Sequence, residues 1–254
     1  MFESYDKIKT RRVETDEPER RTELIFDPER DIPEEIWDEA TRNLESYRQS
    51  QNWERFLELA TWMKTLNKPV NISDAEWREI AEILRRDAIT TGDKLMDEIK
   101  HLSWLRNAAH AKFLGPKVQL DYTLPGGLED RLRDPSRMNN WAYVYYLDVL
   151  KNLDPLRFEL TEDESKRVLA IKEEALKKEN GYWCVTAAAA IEDLIPGRVK
   201  LTREKIEDLK NNWIDSDDIV RTLETAVGLK KLSEMLIEPK TGDNIPPQPT
   251  RRKF

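Results

Sequence analysis

Two histidines, His101 and His110, are the first residues to weigh for chemistry, because imidazole ligates metals and moves protons near neutral pH. They stand nine residues apart. On one continuous helix that spacing turns them about 180° from each other, so they do not share a metal. Glu98 and His101 fit the Glu-x-x-His spacing of di-iron helical bundles. Such a site needs a second copy and two further inward glutamates, and Asn107 stands where His110 would need its glutamate. The single cysteine, Cys184, leads into Val185-Thr186-Ala187-Ala188-Ala189-Ala190-Ile191. With no histidine nearby in sequence and no Gly-x-Ser-x-Gly elbow, it reads as a buried structural thiol. Thr90-Thr91-Gly92-Asp93-Lys94 lacks the first glycine and the Gly-Lys-Ser/Thr core of a phosphate loop, and reads as a turn with Asp93 as a cap. Pro125-Gly126-Gly127 is another turn. The expectation is a chain that is not an enzyme and that carries neither cofactor nor metal.

Binding chemistry is better represented. The stretch from Arg131 to Tyr146 is both basic and aromatic, and it supplies the candidate partner-binding residues Arg131, Arg133, Arg137, Tyr143 and Tyr146. If Trp141, Val144 and Leu147 face a core, Tyr143 and Tyr146 lie on an adjoining face, where large amphipathic side chains serve as anchors. The same arginines with Arg251, Arg252 and Lys253 would make a local nucleic-acid contact. A net charge of -8 and a pI near 5.2 disfavour generic binding to a phosphate backbone. Of eight tryptophans, Trp37, Trp53, Trp77, Trp141, Trp183 and Trp213 fall on recurring apolar positions and read as core anchors, whereas Trp62 and Trp104 depart from them and are candidates for exposure.

The elements that must carry these residues are helices. The chain is 39% hydrophobic and 36% charged with 8 glycines in 254 residues, the balance of amphipathic helices with solvated faces. Residues 1–31 read as a flexible charged arm and 238–254 as a flexible tail rich in proline and basic residues, leaving 32–237 as the folded body. The start has no apolar signal segment, and no apolar run approaches the roughly 20 residues that span a bilayer, so the expected setting is cytoplasmic, without a membrane.

Within the body an apolar residue is followed by others 5, 8 and 12 places on, as in Ile32, Trp37, Ala40, Leu44 and in Ile72, Trp77, Ile80, Leu84. Degenerate copies give unit starts near 32, 72, 120, 160 and 201, a period of about 40 residues with one insertion around Ala88 to Lys94. Ser73 with Glu76 and Thr161 with Glu164 form capping boxes, and Ile72 with Trp77 forms a staple across the helix start. Lys64-x-Leu66, Lys112-x-Leu114 and Lys151-x-Leu153 mark the ends of second helices ahead of Pro69, Pro116 and Pro155, with cations suited to the helix dipole. The expected fold is all-α: about five tandem helical hairpins stacked as an α-solenoid or a compact helical array.

In being a tandem of helix pairs this layout resembles α-solenoids such as the tetratricopeptide, HEAT and armadillo repeats. The period exceeds the 34 residues of tetratricopeptide repeats, whose Trp-Leu-Gly-Tyr signature is absent. The function expected of such a layout is a non-catalytic scaffold or adaptor that docks a protein partner. The alternatives are an enzyme or small-ligand binder whose acidic and tyrosine groups converge only in three dimensions, and the local nucleic-acid contact.

Overall fold

Short polar caps and proline stops cut the chain into helices much as the pattern predicts. The computed structural model describes residues 24–90, 98–115, 132–134, 139–177, 181–211, 213–214 and 218–236. Among them are helices α1 (Pro28–Asp31), α2 (Glu34–Gln49), α3 (Trp53–Thr65), α4 (Asp74–Thr90), α5 (Glu98–Leu114), α6 (Asn140–Leu153), α7 (Glu162–Ala175), α8 (Gly181–Leu194), α9 (Arg203–Asn211) and α10 (Ile219–Glu234), and no strand. None of these helices is long and apolar enough to cross a membrane. The side chain of His101, the residues Arg131 and Arg137, the stretch from Thr91 to Lys94, the turn at Pro125 to Gly127, residues 1–23 and the tail from 238 lie outside the described residues.

The predicted starts are built as expected. Thr161 accepts from Glu164 N while Glu164 accepts from Thr161 N, and Ser73 and Glu76 close the same reciprocal pair. Asn52, Asn139 and Asp218 cap α3, α6 and α10, each satisfying a backbone N–H that helix geometry leaves free. The fold also begins earlier than composition suggests. Ile25, Phe26 and Ile32 are buried, Phe26 meets Trp213 edge to face at 5.4 Å, and the Phe26 N–H donates to Ser233 Oγ at 3.1 Å. The expected arm of residues 1–31 therefore gives up its last segment, from Ile25, to the body, because two apolar residues among charges are enough to seat it.

Helices pack in pairs, α2 on α3, α4 on α5, α7 on α8 and α9 on α10. The second helices make a circuit: α3 packs on α5, α5 on α6, α6 on α8, α8 on α10, and α10 returns to α3. An open stack would leave α3 and α10 at opposite ends, so this is a closed ring of five helices with α2, α4, α7 and α9 outside it. Helices α8 and α10 approach closely: a Cβ on Gly228 would lie 2.5 Å from Val185 Cγ1, so only glycine permits that approach.

Lysines tie the rim. Lys64 donates to the Phe113 and Leu114 carbonyls at 3.2 and 3.1 Å, Lys112 to Leu153, Lys151 to Asp193, and Lys230 to Thr65 at 2.8 Å. Each of these cations serves the C-terminal carbonyls of the neighbouring helix, which requires the five helices to run in the same direction. At the α8 to α10 junction Glu192 stands in the lysine's place, accepting from Gly197 and Val199 N–H, and Lys231 pairs back with Asp193 instead.

Candidate site inside the helical ring

Five helices spaced about 9 Å apart place their axes about 8 Å from a common centre. A helix with its side chains has a radius of about 5–6 Å, so the inward side chains share a narrow axial space. Counting from the rim residue of each helix shows what is in it. Six residues before Lys64, Lys112, Lys151, Glu192 and Lys230 stand Glu58, Arg106, Tyr145, Thr186 and Glu224. One polar or amphipathic side chain from every ring helix thus enters the same layer.

Charges are partly matched there. Arg106 bridges two carboxylates of α3, Glu54 at 2.6 Å and Glu58 at 3.4 Å, and Ser103 Oγ donates to Glu54 at 2.8 Å. Glu58, 5% exposed, also meets Arg55 at 3.2 Å. Burial pushes the Glu58 carboxyl up against the pull of Arg106 and Arg55. Burial disfavours the Arg106 charge in turn, but the Glu58 and Glu54 carboxylates hold this guanidinium more firmly protonated than a free one. On α10, the other neighbour of α3, Glu224 accepts from the Tyr182 hydroxyl at 2.8 Å, a neutral donor. Burial and the charge of Glu58 push Glu224 up to about 7, with the Tyr182 hydrogen bond opposing them.

Between these acids runs an aromatic wall from α6 and α8. Trp141 stacks on Tyr145 at 5.0 Å and 14°, meets Trp183 edge to face at 4.7 Å, and donates its indole N–H to Thr186 Oγ1 at 3.4 Å. Tyr145 touches Tyr146 at 5.2 Å, Tyr182 touches Trp183 at 5.1 Å, and Arg221 lies over the Tyr182 ring at 5.7 Å. All five rings are half-buried rather than sealed.

One turn nearer the rim, polar atoms lack partners among the described residues. His110, 6% exposed, packs edge to face on Trp62 at 5.2 Å with its Nε2 unpaired. Burial, then the neighbouring Arg106 charge, drop its pKa to about 3, so it is neutral. Asp148 accepts from Asn152 at 3.3 Å through one oxygen while the other is unpaired, and burial pushes it up to about 7 despite Lys231 and Lys151. Among the described residues no three His, Cys, Asp or Glu side chains stand close enough to hold a metal ion.

The residues singled out from sequence are mostly elsewhere. Arg133 is clamped by both oxygens of Glu164 at 2.9 Å, reaches the Glu159 carbonyl at 3.2 Å and lies over Phe158, so it ties the chain to the start of α7. Tyr143 is 1% exposed and has no surface to offer a partner. Tyr146 alone joins the interior wall. Trp104, a candidate for exposure, is 4% exposed and donates to the Leu84 carbonyl at 2.7 Å, and Trp62 is half-buried. Trp37, Trp53 and Trp213 are buried core residues as expected, while Trp77, Trp141 and Trp183 are half-buried. Cys184 is the buried free thiol that its neighbours predict.

The missed residues carry a signal in the sequence: Glu58, Arg106, Asp148 and Glu224 are isolated ionisable residues inside otherwise apolar helical runs. No protein-family profile, no curated protein and no solved structure matches this chain.

Proposed function

We propose that this protein binds a small molecule inside its helical ring. The observation that carries this reading is the convergence of Glu58, Arg106, Tyr145 and Glu224, from four different helices, on one interior layer beside the unpaired atoms of His110 and Asp148. Buried polar groups are ordinarily satisfied within the protein, and the unpaired Nε2 of His110 and Oδ1 of Asp148 are left for something else to satisfy. A docking scaffold for a protein partner is served less well. The long face that an open stack of hairpins would offer is here the wall of the ring, and the large exposed hydrophobics among the described residues, Phe113, Leu156 and Ile214, belong to separate segments. The nucleic-acid reading loses Arg133 to Glu164. A cytoplasmic setting fits a lone buried thiol with no disulfide to form.

The test is a thermal-shift screen of the full chain against a broad set of small organic molecules, followed by titration of any hit. A true ligand at about a hundred times its Kd stabilises by about 2.7 kcal/mol, which raises Tm by about 5 °C or more in a chain of this size. The shift is expected to vanish in Glu224→Gln. A screen in which no compound moves the wild-type Tm would overturn the reading.

A further inference from the structure

The balance of charge along the ring suggests what it takes. Glu54, Glu58, Asp148 and Glu224 bring four carboxyl groups to the inner faces of α3, α6 and α10. Arg106 is shared between Glu54 and Glu58, and Lys231 and Lys151 act on Asp148 from the rim, which leaves Glu224 as the carboxyl without an ion pair among those described. Arg55 and Arg221 are 45% and 60% exposed at the N-terminal end of the ring, and Lys231 pairs with Asp193 at the rim. Glu224 therefore feels the Glu58 carboxylate of the neighbouring helix α3, while its hydrogen-bonding partner is the neutral Tyr182 hydroxyl. The linked rings of Trp141, Tyr145, Tyr146, Tyr182 and Trp183 line α6 and α8, and Tyr182 brings them into contact with Glu224. An aromatic face carries negative potential and attracts a cation, most strongly where water is excluded.

His110 supplies an independent pointer. It is more than nine-tenths buried, its Nε2 has no partner among the described residues, and it lies one turn from Arg106 on the same face of α5. As a neutral imidazole it offers a hydrogen bond without competing for the carboxylates.

We infer that the ring interior takes a small organic cation, a quaternary or protonated amine, seated between Glu224 and the aromatic wall of Tyr145 and Trp141, an inference that rests on the small-molecule reading above. Glu224 supplies the counter-charge, the rings supply the apolar and quadrupolar surface, and His110 hydrogen-bonds a polar substituent.

The test uses three probes of similar size on the full chain: choline, its neutral isostere 3,3-dimethylbutan-1-ol, and benzoate, each titrated by calorimetry and by tryptophan fluorescence at pH 8. Choline is expected to bind at least tenfold more tightly than the isostere, benzoate to show no binding, and Glu224→Gln to weaken choline tenfold or more without altering the circular dichroism. Should that variant not fold, Tyr145→Leu is expected to weaken choline by a similar factor. Equal binding of choline and the isostere, or a preference for benzoate, would overturn the cation assignment and leave the small-molecule reading standing. Silence from all three probes beside a hit from the broad screen does the same. Silence here and in the screen removes both.

Discussion

The rim of the ring and its interior are made from the same five helices, yet they treat polar groups in opposite ways. At the rim, Lys64, Lys112, Lys151 and Lys230 each find carbonyls on the next helix, and the one junction without such a lysine carries the Lys231 pair with Asp193. A turn or two inward, Asp148 and His110 keep unpaired atoms and Glu224 has a neutral partner. Desolvating a polar group without a partner costs free energy, and a sequence that matches its rim had the means to match its interior. The difference separates what holds the ring together from what the ring is for, in the way that functional sites commonly sacrifice stability.

Breaking the matched regions should therefore destabilise the protein, whereas neutralising the interior should not. Phe26 is fully buried against Trp213 and seats the N-terminal segment beside α9 and α10, so Phe26→Ala is expected to cost about 3–5 kcal/mol in urea denaturation. Gly228→Val forces a branched side chain into a seam where even a Cβ meets Val185, with a cost of about 1–3 kcal/mol by the same measurement. Lys112→Met removes one charged donor from the partly buried Leu153 carbonyl and should cost about 1 kcal/mol.

The smallest effect has the opposite sign. Burial pushes Asp148 up to about 7 from the 3.8 of a free carboxyl, so the folded protein holds that proton more tightly than the unfolded chain. Its contribution to stability is present below about pH 4 and is lost as pH rises toward 7. Lys231 and Lys151 are the cations that moderate the loss. Asp148→Asn should lack that decline, and in paired denaturation curves at pH 5 and pH 8 it should match or exceed the wild type at pH 8. A variant that is clearly less stable than the wild type at pH 8 would show that the interior is as structural as the rim.

Much of the fold was legible in the sequence. The caps at Ser73 and Thr161, the staple at Ile72, the Lys-x-Leu endings and the proline stops all mark helix boundaries through local chemistry, which one chain carries in full. Closure was not legible. Periodicity says that a helix has an apolar face, but the same face serves an open stack and a ring, and Lys64 reads as completing its own helix until Leu114 is seen beside it.

The site was half visible. Tyr146 was picked out, but Tyr143 is buried and Tyr145, which was not singled out, joins the wall, because α6 packs on α5 and α8 in the ring and also meets α7, which blurs the amphipathic pattern that would rank its faces. Glu58, Arg106 and Glu224 share a place six residues ahead of the rim, a register that has meaning only once the five helices are known to face a common axis.

The enclosed interior exists only because α10 returns to α3, and the distance between them can be measured directly. Spin labels on Lys64→Cys and Glu234→Cys, both on exposed positions near the C-terminal ends of those helices, report it by pulsed electron resonance while the buried Cys184 stays unlabelled. A closed ring predicts one narrow population near 20 Å or below, allowing for the labels, since adjacent helices lie about 10 Å apart. A population near 40 Å, the span of four helix spacings in an open stack, would contradict the ring and with it the enclosed site.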